Sequence, residues 1–170
     1  MREAYKQPTV FLSVSTALGS DVLLLDRVHG VEGISQLFGF TLTMRSSSNA
    51  LKASAIIGKS VTVTLTTSET HKRYINGIVS RFSYLGTTAD FATYTAEIVP
   101  SMWLLTLGRD RVIYQNKSTP EIVAAVLTEL NVSFEDKLSG TYAKREYCVR
   151  YDESAFDFVS RLLEDEGIFY

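Results

Sequence analysis

The chain has 170 residues, with 17 lysines and arginines against 19 aspartates and glutamates, a formal charge of −2 at pH 7. That length suffices for one or two compact domains with a real core, and the charge balance lacks the basic excess of a nucleic-acid binder, so no DNA or RNA partner is expected. The opening MREAYKQPTV carries charge and a proline where a secretory signal needs an unbroken apolar run, and no apolar run reaches the length of a membrane span, so a soluble protein made in the cytoplasm without a signal peptide is expected.

The front of the chain reads as strand. HGVEG, at His29 to Gly33, reads as a turn. Phe38, Phe40, Leu42 and Met44 alternate with Gly39, Thr41, Thr43 and Arg45, the period of two by which a strand sends one set of side chains to a core and the other toward solvent. Val61, Val63 and Leu65 repeat that pattern against Thr62, Thr64 and Thr66. After a polar turn around Ser68 to Lys72, RYINGIVSRFSYLG forms one long strand, and GTTAD returns the chain into FATYTAEIVP, a meander of hairpins. Asn76-Gly77 has the chemistry of a tight hairpin turn, but too few residues separate it from the turn before it to make a strand. The pair is therefore expected to be a glycine bulge or bend inside one strand, such as a barrel corner uses.

The pattern changes near Trp103. In STPEIVAAVLTEL, Ser118 or Thr119 can cap a helix, Pro120 sits in its first turn where a missing N–H costs nothing, and Glu121 completes a capping box. Ile122, Val123, Val126, Leu127 and Leu130 share one face of that helix. A short strand, VSFE, is expected next, then a polar link through Gly140 and a strand around Tyr147. There Tyr147, Val149 and Tyr151 alternate with Cys148, Arg150 and Asp152, which places the thiol on the more polar face. A second helix starts at Ser154, buries Ala155, Phe158, Val159, Leu162 and Leu163, and ends at Gly167 as a left-handed cap. A further strand is expected to begin before Tyr170. The whole is mainly β with an α/β portion, an α+β chain: a barrel-like front half followed by a smaller mixed α/β part.

Candidate chemistry is sparse. His29 and His71 are far apart and read as loop residues, so no metal site is expected. Cys148 is the single cysteine, which excludes an internal disulfide and reads as structural. No nucleophile elbow and no phosphate-cradling glycine signature is present. The carboxylate pairs Asp152-Glu153 and Asp165-Glu166 are sequence neighbours whose side chains diverge, a poor basis for paired acid and base work. Phe38 and Trp103 are expected to fill core. No catalytic, cofactor-binding or metal-binding residue is therefore assigned, and neither a cofactor nor a small-molecule substrate is expected. One oddity is the run Glu164, Asp165, Glu166 at a helix C-terminus, where carboxylates oppose the macrodipole. Arg161 is in place to offset it, or basic groups of a neighbouring chain are.

YDESAFDFVSRLLEDEGIFY, together with RVHGVEGISQLFGFTLTMRS, IIGKSVTVTL, RYINGIVSRFSYLG, YTAEIVPSMWLLTLGRDRVIYQNKSTPEIVAAVL and KLSGTYAKREYCVRY in this order, strongly resembles the VgrG spike proteins of type VI secretion systems, which are related to contractile-phage tail hub proteins. The resemblance runs from Phe11 onward. It implies a tube-like β-barrel hub domain over residues 1–105 and a second hub subdomain with two helices over residues 106–170, unfinished at Tyr170. It implies a structural, non-enzymatic part of the needle tip, with a homotrimer when full length, a hexameric tube protein beneath it, and effector or adaptor proteins as cargo. Assembly would be cytoplasmic, followed by expulsion through the contractile apparatus. A phage tail hub, an extracellular contractile injection system, a ligand-binding β-barrel and an esterase or peptidoglycan hydrolase are the alternatives.

Overall fold

The structure, a computed structural model, describes residues 11–68 and 71–170. The opening ten residues, from which the absence of a signal was read, lie outside the described residues, as do Glu69 and Thr70 of the expected polar turn. The chain divides into two compact units, Met1–Glu32 with Phe38–Pro100, and Gly33–Leu37 with Ser101–Tyr170.

In the first unit six strands, β1 (Leu12–Thr16), β2 (Leu24–Val31), β3 (Gly39–Ser46), β4 (Ser60–Thr66), β5 (Lys72–Thr87) and β6 (Ala92–Val99), form one antiparallel sheet. Its order is β1-β4-β5-β6-β3-β2. The alternation in β3 and β4 is as expected: Leu42, Met44, Val61 and Val63 are fully buried. In β6 the small and large residues Ala92, Tyr94, Ala96 and Ile98 take the inner face by turns. The buried Tyr94 keeps its hydroxyl satisfied, donating to the Ser48 carbonyl at 3.1 Å and accepting from the Leu51 N–H at 3.3 Å.

The sheet curls into a half-barrel because β5 is shared. Its first part, through Ile78, pairs with β4, and its second part, from Ile78 onward, pairs with β6. The expected bulge at Gly77 is not found; the pairing of Val61 with Gly77 is regular, and the register slips instead between Val79 and Arg81 and between Tyr84 and Gly86. Gly77 is required for another reason. A β-carbon there would lie 2.5 Å from the Val99 carbonyl oxygen and 3.3 Å from the Phe38 ring, so β6 approaches closely only a residue without a side chain. The expected turn at HGVEG is likewise absent: His29, Gly30 and Val31 lie inside β2, paired with Thr41, Phe40 and Gly39, and the chain reverses only after them.

In the second unit a 3-10 turn over Ser101–Thr106 leads into β7 (Asp110–Ser118), α1 (Thr119–Glu129), β8 (Lys144–Glu153) and α2 (Ala155–Asp165). β7 and β8 pair antiparallel as a two-stranded sheet, and the helices bury Ile122, Val126, Phe158, Val159 and Leu162 against Tyr114 and Cys148. The Tyr114 and Phe158 rings stack with centroids 5.7 Å apart. This covering corrects the expected polarity of β8. Cys148 and Arg150 are on the buried face and Tyr147 and Tyr151 on the open one, because the helices, rather than the apolarity of the strand's own residues, decide which face is closed.

The helices begin as their caps dictate. Ser118 precedes α1, and the Glu121 carboxylate accepts from the Ser118 N–H at 2.7 Å and hydroxyl at 3.1 Å. Ser154 accepts from the Asp157 N–H at 3.0 Å. Gly167 takes a φ of 68°, and the Gly167 and Ile168 N–H groups close the end of α2 on Glu164 and Leu163 carbonyls at 3.0 and 2.9 Å. Leu130, expected on the buried stripe of α1, is instead its exposed C-cap, where Asn131 turns left-handed. VSFE forms no strand. Val132 is anchored by its N–H to the Leu127 carbonyl at 2.8 Å, and no described strand lies alongside to take the remaining backbone groups. Residues 168–170 also form no strand; the Ser35 N–H donates to the Tyr170 carbonyl at 2.7 Å.

Candidate functional site

The residues weighed as chemical candidates stay dispersed. His29 is in mid-strand, paired with Thr41, whereas His71 is in the turn before β5, its Nδ1 3.0 Å from the Ser68 hydroxyl. Among the described residues no three His, Cys, Asp or Glu side chains are placed to hold a metal ion. Cys148 is a buried free thiol. Phe38 is half-buried against the barrel core, its ring 5.6 Å from that of Phe40, and Trp103 is half-buried in the 3-10 turn.

The carboxylate pairs are engaged in structure. Glu153 accepts from Arg161 at 2.7 Å, and that hydrogen bond holds the guanidinium pKa above its ordinary value. Arg161 is thus not the partner of Glu164. Asp165 and Glu166 instead share Arg145, at 3.5 and 3.1 Å. The fully buried Thr119 hydroxyl joins them, accepting from Arg145 at 3.1 Å and donating to Glu166 at 3.0 Å. One strand, the start of one helix and the end of the other are tied by this network. Arg150, also buried, donates to Asp110 at 2.9 Å, while its Nε finds no partner. Burial raises the Tyr114 pKa, and the hydrogen bonds from Ser118 lower that of Glu121.

The interior of the half-barrel is filled by Leu42, Met44, Val63, Tyr94 and Ile98. A cleft of about 300 Å³ lies in the first unit, floored by Phe40, Leu65 and Ile75, with Arg73 paired to Glu32 beside it. Among the described residues the six-stranded sheet runs from β1 to β2, two strands that approach each other, and in the second unit Ile113, Tyr147 and Tyr151 are exposed on the face of β7–β8 turned away from the helices. Such a face suits contact with other polypeptides. No helix among the described residues is long and apolar enough to cross a membrane.

Known proteins share the sequence pattern and the fold of this chain. The family model for the phage tail baseplate hub (GPD) matches residues 31–170. The type VI secretion system spike proteins VgrG1c and VgrG1a of Pseudomonas aeruginosa are both 42% identical to it, over 98% and 96% of this chain. The match takes in 23% and 26% of their own sequences, so the chain spans about a quarter of the length of these relatives. A solved structure of the E. coli c3393 protein, described as a component of the type VI secretion system with structural similarity to the T4 tail proteins gp27 and gp5, aligns with a TM-score of 0.77. It is 27% identical over 89% of this chain and 42% of that one.

Proposed function

Because the chain belongs to the phage tail baseplate hub (GPD) family, we propose that it builds the hub at the base of a type VI secretion spike. Its work is mechanical. As part of a longer polypeptide it forms a homotrimer, caps a hexameric tube protein, and is driven out of the cell with effector or adaptor proteins when the sheath contracts. Residues 1–105 make the tube-like domain that meets the ring, and residues 106–170 begin the second hub subdomain. The chain itself catalyses no reaction and is made and assembled in the cytoplasm.

The observation that carries this reading is a half-barrel whose interior is filled by side chains. A ligand-binding barrel needs the opposite, a hollow interior. The likeness of the E. coli structure to phage tail proteins keeps a second reading, the hub of a phage tail or of an extracellular contractile injection system, in which the same surfaces meet a different tube.

The test is incubation of the full-length protein with preassembled tubes of the hexameric type VI subunit from the same bacterium, followed by electron microscopy. Density capping one tube end supports the type VI reading. Capping of a phage-type tube alone favours the second, and failure to engage either tube refutes the hub.

A further inference from the structure

The cleft of about 300 Å³ in the first unit joins two kinds of surface. Its floor is apolar: Val28, Phe40 and Leu65 are half-buried against the barrel core, and Ile75 belongs to that core. Gly30 shapes the floor, because a β-carbon there would collide with the Phe40 ring and the Gly39 carbonyl oxygen, so the ring lies where position 30 has no side chain. Beside the floor stands the ion pair of Arg73, at the start of β5, with Glu32, just beyond β2. The curl of the sheet brings them together, since β2 and β5 are not neighbours in its order.

The pair is loosely held. Its side chains are 53 and 51% exposed, so water screens their attraction and a ligand separates them at little cost. Once separated, they present side by side a planar guanidinium suited to a carboxylate and an acceptor suited to an ammonium group.

We propose that this cleft binds a free apolar α-amino acid, with its carboxylate on Arg73, its ammonium on Glu32 and its side chain on the floor of Phe40, Leu65 and Ile75. The two charges of such a ligand sit on one carbon, so only adjacent groups of opposite sign receive both. An apolar acid would leave Glu32 facing a carboxylate, and an apolar amine would leave Arg73 facing an ammonium. A residue inside a polypeptide carries neither charge on its backbone and gains nothing from the pair. The volume agrees, being at the low end of the about 300–1,000 Å³ of small-molecule sites and so sized for one amino acid. The cleft lies at the rim of the filled core rather than within it, and the site is independent of the hub reading.

Equilibrium dialysis of the full-length protein against radiolabelled L-leucine and L-phenylalanine tests it, with circular dichroism to verify that each variant is folded. The wild type binds at least one of the two saturably, with a dissociation constant below about 1 mM. In competition, glycine, which lacks the side chain, is weaker by about tenfold or more. The amide and the N-acetyl derivative of the bound amino acid, each keeping one charge, are weaker to a similar degree. Arg73→Gln and Glu32→Gln, both at half-exposed positions, leave the protein folded and each lowers affinity by about tenfold or more. Saturable binding of neither amino acid by the folded protein overturns the site. So does a neutral N-acetyl amide that competes as well as the free amino acid, which would show that the charges are not read, or binding that survives both substitutions, which would place the ligand elsewhere.

Discussion

Arg145 and Glu166 stand 3.1 Å apart, and the Thr119 hydroxyl bonds to both. The relationship answers why α2 tolerates acids at its C-terminus. Two of the three carboxylates there share a guanidinium brought from β8, so the unfavourable alignment with the helix dipole is offset within the chain. Thr119 is fully buried, and Thr119→Val keeps its shape while removing one donor and one acceptor. The expected loss is about 1–3 kcal/mol, read as a lower urea midpoint with an unchanged slope. Thr119→Ser, which keeps the hydroxyl, loses less. Equal losses for the two would show that the methyl group, not the hydrogen bonds, matters at this position.

A glycine pair tests the curl of the sheet. Gly77→Ala must push the Val99 carbonyl aside and is expected to cost about 1–3 kcal/mol. Gly39→Ala meets nothing within 4 Å and is expected to be nearly neutral. Amide exchange in β5 and β6 should quicken in the first variant only. Comparable stability of the two would mean that β6 does not approach β5 as closely as the structure places it.

The elements that were legible in the sequence are those whose evidence is local. α2 is the clearest case: the Ser154 cap, the stripe Ala155, Phe158, Val159, Leu162 and Leu163, and the Gly167 stop were all readable and all stand. So were β3, β4 and the long β5, because alternation is a property of the strand itself. Family membership was legible too, since several blocks follow one another in order. What depended on a distant partner was not. Cys148 and Arg150 face inward because α2 packs there, although their strand's other face is the more apolar. VSFE had the composition of a strand but no described neighbour to complete one. Gly77 carried turn chemistry for the sake of Val99, which is far away in sequence. No signal in the sequence joined Arg145 to Glu166, because the pair depends on where β8 lies against the end of α2.

Acid should reveal the α1 capping box. The Ser118 N–H and hydroxyl hold the Glu121 pKa below its ordinary value, so its carboxylate binds protons less readily folded than unfolded. Its contribution to stability is complete above the ordinary carboxylate range and is lost as pH falls through the lowered folded value. Glu121→Gln is therefore expected to be less stable than wild type near neutrality, with the difference shrinking as the solution is acidified. Urea midpoints at a series of pH values measure this. A difference that stays constant from neutral to acid would assign the effect of the substitution to something other than the ionised carboxylate.

The buried Arg150 makes an asymmetric pair with Asp110, its own side chain 8% exposed and that of the acid 62%. Removing the two partners should have unequal consequences. Asp110→Ala leaves a buried guanidinium without its acceptor, with an Nε that was already unpartnered, and the expected loss is about 1–3 kcal/mol, water at the open side limiting it. Arg150→Met removes the charge and both unmet needs together and places an apolar side chain beside Tyr114 and Cys148. Replacement of a buried charge by a well-packed apolar group is often neutral or stabilising, so this variant should be at least as stable as Asp110→Ala and within about 1 kcal/mol of wild type. The double substitution should then resemble Arg150→Met alone, since Asp110 on the surface has little left to bond. If Arg150→Met proves the more damaging of the two, the long side chain supports the sheet by filling space under α2, and the ion pair is incidental to it.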